Sequence, residues 1–231
     1  MRFFSCFLRF RQCSLAVFLL LAGVPLGAST ITYTSRSAFL AAAGATNTID
    51  FSGIAPTNGS VSFSTPAGLT LDGVNFVGSG TFAGSTGNDL FVFDGAQSVW
   101  TLNGTAALVG ALANGMSNPT PTIGELLITL PAGITALGMD IGSTSPGTVV
   151  YNATLSTGDT ATGTATHVGA FLGFVSTTPI TTLRFDTTNP AGGPERLVLD
   201  NVTMNQVPEP SSVLLFLAGL GALCVGRRRR S

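Results

Sequence analysis

Hydrophobic and polar residues alternate with a period of two along most of the chain, a pattern that indicates half-buried β-strands. The clearest case is 60–64, where Val61 and Phe63 alternate with serines and are expected to face inward. Runs of this kind, bounded by Gly, Asn, Asp or Pro, predict strands at 31–34, 48–51, 60–64, 74–77, 90–93, 98–102, 105–109, 125–130, 136–141, 148–156, 160–166, 167–174, 180–186 and 196–204.

One helix is predicted between the first two strands, at 35–43. Ser35 or Ser37 can cap its N-terminus, because a serine oxygen accepts a hydrogen bond from the first free backbone N–H groups. Phe39 and Leu40 are its large apolar residues, and both are expected to face the core.

Turn signals separate the predicted strands at regular intervals. Asn103-Gly104 is the strongest short hairpin signal and predicts that 98–102 pairs with 105–109. Gly158-Asp159 predicts a second hairpin, between 148–156 and 160–166. Many short strands with such spacing indicate an all-β fold, a single β-sandwich or jelly-roll-like domain with one short N-terminal helix.

The N-terminus has the features of a secretory signal peptide. Three arginines lie within the first eleven residues, and the apolar segment 14–22 follows them. Pro25 and small residues come next, so signal peptidase is expected to cut after Ala28. The alternative is an uncleaved N-terminal anchor.

The C-terminus combines a conformationally restricted Pro-Glu-Pro sequence, an apolar segment and a basic cluster. Pro208-Glu209-Pro210 precedes the uncharged segment 213–226, which would form a helix of about 21 Å at ~1.5 Å per residue. This length is short of the roughly 30 Å hydrocarbon core, but flanking arginines can extend their side chains to the lipid headgroups. The basic cluster consists of Arg227, Arg228, Arg229 and Arg230. Because basic residues beside an apolar run stay cytoplasmic, the tail is predicted to be a transmembrane helix stopped at the inner membrane.

These three parts, in this order, resemble the PEP-CTERM sorting signal of Gram-negative bacteria. The resemblance implies recognition by an exosortase-type membrane enzyme, removal of the tail, and delivery of the body to the cell surface or an exopolysaccharide matrix. The alternative is a simple C-terminal anchor with a proline-rich linker. Segments 39–44, 49–53, 130–142 and 199–202 also resemble the globular part of PEP-CTERM proteins, which implies the fold and no activity.

The expected organisation is therefore a signal peptide at 1–28, a β-sandwich at 29–206 and a sorting signal at 207–231. All three cysteines lie in the two end segments, so the body has no disulfide, thiolate metal site or cysteine nucleophile. The body keeps three arginines against ten acidic residues, a formal charge of −7. Because such a body repels phosphate, nucleic-acid binding is not expected.

Few residues of the body could support catalysis. His167 is the single histidine and is predicted to be an ordinary strand residue, since no serine motif accompanies it. Hydrolysis of a glycoside needs two carboxyl groups across the sugar, and nothing in the spacing of Glu125 and Glu195 pairs them. The body is therefore expected to be non-catalytic. A secreted hydrolase acting on matrix polysaccharide remains an alternative.

Calcium is the cofactor that the available ligands favour, because carboxylate and carbonyl oxygens are its usual ligands. Asp50 and Asp200 lie at the two ends of the body, where jelly-roll domains that bind sugars often join an early strand to the last one through a structural Ca²⁺. The pair is predicted as a Ca²⁺ site, and the alternative is that each aspartate simply ends or turns a strand. A Ca²⁺-dependent adhesin is the corresponding function.

Sugar binding commonly uses exposed aromatic residues, and the body has few candidates: Trp100, Tyr33 and Tyr151 besides its phenylalanines. Trp100 is expected in the core, because it lies two residues from Leu102. Together these patterns predict an exported, acidic, non-catalytic protein that its tail sorts to the cell surface or matrix, with a structural, adhesive or polysaccharide-associated role.

Overall fold

The computed structural model describes residues 29–79, 90–96, 101–102, 104–114, 124–144, 147–189 and 194–205. The predicted signal peptide at 1–28 and the predicted transmembrane sorting tail at 207–231 lie outside these residues. Within the described ranges, no helix has both the length and the apolar character needed to cross a membrane.

The described residues form one helix and a series of short strands. Helix α1 spans Arg36–Ala43, and the strands are β1 (Thr30–Tyr33), β2 (Thr46–Ile49), β3 (Ser60–Phe63), β4 (Leu69–Leu71), β5 (Val74–Ser79), β6 (Leu90–Phe93), β7 (Ala107–Asn114), β8 (Gly124–Thr129), β9 (Ala136–Ser143), β10 (Thr148–Leu155), β11 (Thr160–Thr166), β12 (Ala170–Ser176), β13 (Thr182–Thr188) and β14 (Pro194–Asn205).

Two antiparallel sheets pack face to face, which confirms the predicted all-β sandwich. The larger sheet has the order β1-β12-β9-β14-β7-β6-β3, and β2 pairs with β14 beside this path. The smaller sheet has the order β11-β10-β13-β8-β5-β4. Alternate residues of each strand point between the sheets, where apolar side chains are removed from water. Buried members of this core include Phe76, Leu126, Ile128, Leu137, Met139, Phe174, Phe185 and Leu199.

Strand β14 organises the larger sheet. One flank pairs with β9 from Leu197 to Met204, whereas the other pairs first with β7 and then with β2. Its last residue, Asn205, is held by three hydrogen bonds to the start of β9. Its Oδ1 accepts from the backbone N of Thr135 at 3.0 Å and of Ala136 at 2.9 Å, and its Nδ2 donates to Thr135 Oγ1 at 3.1 Å.

Helix α1 covers part of the outer face of the larger sheet. Ser35 caps it by accepting from the backbone N of Ala38, as predicted. Phe39 is fully buried and lies over Gly138 and Gly173, two cross-strand partners whose lack of side chains makes room for its ring. The prediction that Leu40 also faces the core is wrong: it is 38% exposed, because one short helix can turn only a narrow stripe toward the sheet.

Three local predictions need correction. Strand β4 was not predicted, since three residues are too few to show a period. Residues 101 and 102 of the predicted strand 98–102 form a bend, and residues 98–100 lie outside the described residues. Among the described strands β7 pairs with β6 and β14, and a Thr105 N to Leu102 O bond of 3.1 Å closes the predicted turn. His167 lies in the turn between β11 and β12 and not in a strand.

The phenylalanines of β6 do not enter the main core. Leu90 and Val92 fill the main core, while Phe91 and Phe93 pack on the opposite face of the strand against a second cluster. That cluster consists of Leu102, Ala107, Val109 and Val198. The larger sheet is thus covered on its outer side as well, by α1 at one place and by this second cluster at another.

Candidate functional site

Strands β9 and β14 place two aspartates side by side on the outer face of the larger sheet. Asp140 and Asp200 are cross-strand partners. Ile141 and Leu199, their immediate neighbours, are in the core, so the two aspartates point to the other side of the sheet. One extra residue in β14 directly after Asp200 forms a bulge, in which Asn201 adopts a positive φ of 49°.

Asp200 is the one buried carboxylate among the described residues, with 1% of its surface exposed. It accepts hydrogen bonds from the hydroxyl of Thr105 and, at 2.6 Å, from the backbone N of Asn201. Burial raises the pKa of Asp200 to about 6, and the negative charges of Asp140 and Asp50 add to the increase, whereas the two hydrogen bonds oppose it. A cation or a proton near this group would therefore be favoured.

Asp140 has a positively charged partner. Arg36, at the start of α1, places Nη2 2.7 Å from Asp140 Oδ1, and its guanidinium lies 4.8 Å from the centre of the Phe171 ring. Asn201 Nδ2 donates to the other oxygen of Asp140 at 2.9 Å. Arg36 also reaches Thr203 Oγ1 at 3.5 Å. Helix α1 thus supplies the charge that balances this carboxylate.

Asp50 follows the last residue of β2. Because β2 pairs with the second half of β14, with Ile49 opposite Val202, the chain brings Asp50 to the bulge and close enough to affect the pKa of Asp200. Asp50 is exposed, and its Oδ1 accepts from the backbone N of Ser52 at 3.1 Å. The two aspartates singled out in the sequence are therefore at one place in the fold.

We call Asp50, Asp140, Asp200, Asn201 and Arg36 the acidic cluster. Its three carboxyl groups and one guanidinium leave excess negative charge when all are ionised, and its oxygens are of the type that Ca²⁺ prefers. Among the residues that the structure describes, however, no three His, Cys, Asp or Glu side chains are grouped so that they could hold one metal ion. The Ca²⁺ site at Asp50 and Asp200 stays a prediction.

Sequence reasoning missed Asp140 and Arg36. Asp140 is the single charged residue in β9, a strand whose other residues are buried, and this contrast is a usable signal. Arg36 had no comparable signal, because its role depends on where α1 lies over the sheet.

The two glutamates of the body lie on different sheets. Glu125 is on β8 and forms an ion pair with Arg184, whose Nε is also 2.9 Å from Asp186 Oδ1. Glu195 is on β14 and accepts from Thr144 Oγ1 at 2.8 Å. The structure does not bring them together as the acid and base of a hydrolase would have to be.

The outer face of the smaller sheet is rich in hydroxyl groups. Strand β11 exposes every second residue, and the neighbouring β10 contributes Asn152 and Thr154 to the same face. The exposed threonines of β11 are Thr160, Thr162, Thr164 and Thr166. We call these six residues the threonine face. No aromatic side chain of the described residues is exposed: Tyr33 is half-buried and Tyr151 is buried, while Trp100 lies outside the described residues.

Comparison with known proteins identifies the tail. A family model described as the PEP-CTERM protein-sorting motif matches residues 206–230. This confirms the sorting motif predicted from Pro208, Glu209, Pro210 and the arginine cluster. The motif indicates an exported protein with C-terminal membrane anchoring or sorting, and it implies processing by an exosortase.

No curated protein was found to match the chain. Among solved structures, a mutant of the family 29 carbohydrate-binding module CBM29-2 in complex with mannohexaose is similar at 13% identity and a TM-score of 0.32, covering 62% of this chain and 89% of that one. The family 11 carbohydrate-binding module from Clostridium thermocellum, in complex with a β-1,3-1,4-mixed-linked tetrasaccharide, is similar at 14% identity and a TM-score of 0.27, covering 71% and 97%.

Proposed function

We propose that this chain is a non-catalytic protein of the cell surface or exopolysaccharide matrix, released from its membrane tail by an exosortase-type enzyme. The observation that carries the proposal is the sorting motif, which begins at residue 206, immediately after β14 ends at Asn205. The sandwich is thus the domain that the tail sorts. Its role after sorting is structural or adhesive, in contact with polysaccharide.

In this proposal the tail both anchors the chain in the membrane and is recognised by the processing enzyme. The apolar segment 213–226 enters the inner membrane, and the arginines from Arg227 to Arg230 keep its end in the cytoplasm. Each proline of Pro208-Glu209-Pro210 lacks a backbone N–H donor and disfavours a helical conformation in the residue before it, so this sequence is a poor helix former and suits an enzyme that binds an extended peptide.

The threonine face supports the contact with polysaccharide. Its hydroxyl and amide groups are both donors and acceptors, as are the hydroxyls of a sugar chain. Its exposed threonines recur at every second residue of β11, about 6.8 Å apart at ~3.4 Å per residue. The contacts proposed for this face are therefore hydrogen bonds.

Replacing Pro208, Glu209 and Pro210 together by alanine tests the sorting step in the full-length chain. We expect the variant to remain in the membrane fraction at its unprocessed mass, whereas the wild type loses its tail and reaches the surface or medium. A Ser211→Ala/Ser212→Ala variant, changed just beside the motif, is expected to be processed normally. If the alanine-substituted motif is cut and located as in the wild type, the sorting proposal is wrong.

Asn152→Ala/Thr154→Ala tests the polysaccharide contact. The fraction of protein that sediments with isolated matrix polysaccharide should fall several-fold, because two of the six polar side chains of the threonine face are lost. Thr32→Ala, an exposed change on β1 of the other sheet, is the control and should sediment like the wild type. Equal sedimentation of all three proteins would reject this contact and leave the sorting step untouched.

A Ca²⁺-dependent adhesin is the second candidate, favoured by the excess of carboxylates in the acidic cluster. Asp50 and Asp200 would hold the ion, and Ca²⁺ would supply the positive charge that a buried carboxylate lacks. It predicts that a chelator lowers the melting temperature of the full-length protein and that Ca²⁺ restores it. An unchanged melting curve would remove this candidate.

A further inference from the structure

Strand β11 is an edge strand with a self-complementary sequence. It lies at the end of the smaller sheet, and no strand of the described residues pairs with its other side. Residues 160–166 have the sequence Thr-Ala-Thr-Gly-Thr-Ala-Thr, which is identical in both directions around Gly163. Natural edge strands are usually protected by lysine, proline or a bulge. β11 has no charged residue and no proline, and its register against β10 is continuous.

Gly163 also has a role within one chain. An added Cβ at this position would lie 2.4 Å from the Tyr151 hydroxyl oxygen, so the glycine makes room for that ring. This contact accounts for the glycine but not for the threonines on either side of it. The threonines placed symmetrically on both sides of it point away from the core, and no packing within the sandwich requires them.

The hairpin geometry determines which backbone groups face the free edge. Leu155 N donates to Asp159 O at 2.9 Å, which makes these two residues a hydrogen-bonded pair. Because hydrogen-bonded pairs alternate along an antiparallel ladder, Gly163 also directs its backbone groups toward β10. Thr160, Thr162 and Thr164 therefore direct their N–H and C=O groups outward, away from β10.

A two-fold axis at Gly163 pairs these outward groups with each other. Thr162 of one copy then lies opposite Thr164 of the second, and both carry outward N–H and C=O groups, so about four hydrogen bonds form around the axis. The same register, continued by one residue, places Asp159 opposite His167 of the second copy. Asp159 accepts hydrogen bonds from Thr30 and Thr157, which lower its pKa, and His167 is exposed. Each end of the paired strands thus places a carboxylate opposite an exposed imidazole ring.

We propose that two copies of this chain associate through antiparallel pairing of β11, joining their smaller sheets into one continuous sheet. A contact of this kind is isologous, which a sequence identical in both directions suits. It leaves the threonine faces of the two copies side by side, on one surface of the joined sheet. The proposal does not depend on the function proposed above.

Disulfide cross-linking tests the register. Thr162→Cys and Thr164→Cys are made separately in the full-length chain, in a background where Cys6, Cys13 and Cys224 are serine, and purified in detergent. A mixture should form the disulfide-linked pair, because directly opposite Cα atoms are ~5.5 Å apart, within the range that a disulfide spans. Each variant alone should cross-link at least ten-fold less, since its own copies lie on a diagonal of ~7–8 Å. An uncross-linked mixture, or equal cross-linking by either variant alone, overturns the proposal.

A charge exchange tests the association without a covalent bond. Thr162→Lys/Thr164→Lys and Thr162→Glu/Thr164→Glu should each raise the dimer dissociation constant at least ten-fold in light scattering, because like charges meet across the axis. Mixing the two variants should restore the dimer. Thr70→Lys, on β4 at the opposite edge of the same sheet, is the control and should associate like the wild type. Unaltered association of the double-lysine variant, or no recovery on mixing, contradicts edge pairing.

Discussion

Replacing Asp200 by asparagine removes one negative charge from the acidic cluster while it keeps the shape of the side chain. The asparagine Oδ1 can still accept from the backbone N of Asn201, and its amide can donate to Thr105 Oγ1. The change therefore isolates the cost of an ionised carboxylate that is buried beside Asp140 and Asp50.

The magnitude follows from the pKa of Asp200, which is 3.8 when unperturbed and about 6 in the folded chain. The folded state holds its proton more tightly than the unfolded state, so this group makes the protein less stable as the pH rises from about 4 through 6. A difference of about two pKa units corresponds to about 3 kcal/mol, at ~1.36 kcal/mol per unit. Roughly 2 kcal/mol of this develops between pH 4.5 and pH 8.

The assay is urea unfolding of the full-length chain in detergent with a chelator present, at a series of pH values. The free energy of unfolding of Asp200→Asn, relative to wild type, should increase by roughly 2 kcal/mol from pH 4.5 to pH 8. Asp72→Asn removes the same charge from an exposed turn and keeps a residue that tolerates the positive φ of 48° there. Its relative stability should stay within about 0.5 kcal/mol.

A stability difference that does not depend on pH, or that falls as the pH rises, would refute this account of Asp200. The same titration with Ca²⁺ separates the two views of the acidic cluster. If the ion binds there, it stabilises ionised Asp200, and the advantage of asparagine at pH 8 should disappear or reverse. If Ca²⁺ leaves the unfolding curves of both proteins unchanged, Ca²⁺ does not bind at Asp200.

Three further changes test the packing and the ion pairs by urea unfolding. Phe39→Ala should lower the free energy of unfolding by about 3–5 kcal/mol, because loss of the fully buried ring leaves a cavity over the sheet. Leu40→Ala, at the exposed neighbour, should lower it by under ~1 kcal/mol. Equal losses would contradict the orientation of α1. Gly138→Ala should cost about 1–3 kcal/mol, since its Cβ would lie 2.7 Å from the Phe171 ring and 2.9 Å from the Phe39 ring, and a neutral result would show that both rings can move away. Arg184→Ala should lower the free energy of unfolding by under ~1 kcal/mol, because its two ion pairs are half-exposed and screened by water. A larger decrease in this free energy would contradict the screening.

The strands could be predicted from the sequence where one face of the strand is buried and the other is exposed to solvent. The strand at 60–63 has this alternation, and the predicted range for β11 agrees with the structure residue for residue. The pattern fails where both faces are covered. In β6, Phe91 and Phe93 pack on a second cluster, and only the three-dimensional arrangement shows which apolar pair enters the main core.

The candidate site was predictable in part. Asp50 and Asp200 were singled out because they lie in an early strand and in the last strand of the body, and the structure brings them near each other. Asp140 joins them through the register of β9 against β14, and Arg36 joins through the docking of α1. Neither relation is local in the sequence, because each depends on how separate elements pack.

The anchoring of Asn205 has a consequence for the geometry of release. Three Cα–Cα steps of at most ~3.6 Å each join Asn205 to Pro208, so the first residue of the Pro-Glu-Pro motif can lie no more than about 11 Å from the end of β14. Because the Asn205 side chain is bonded to the start of β9, the tail leaves the sandwich from a fixed point of the larger sheet. If the tail is cut at or near this motif, the cut lies beside the same end of the larger sheet in every molecule, and only a few residues remain beyond Asn205.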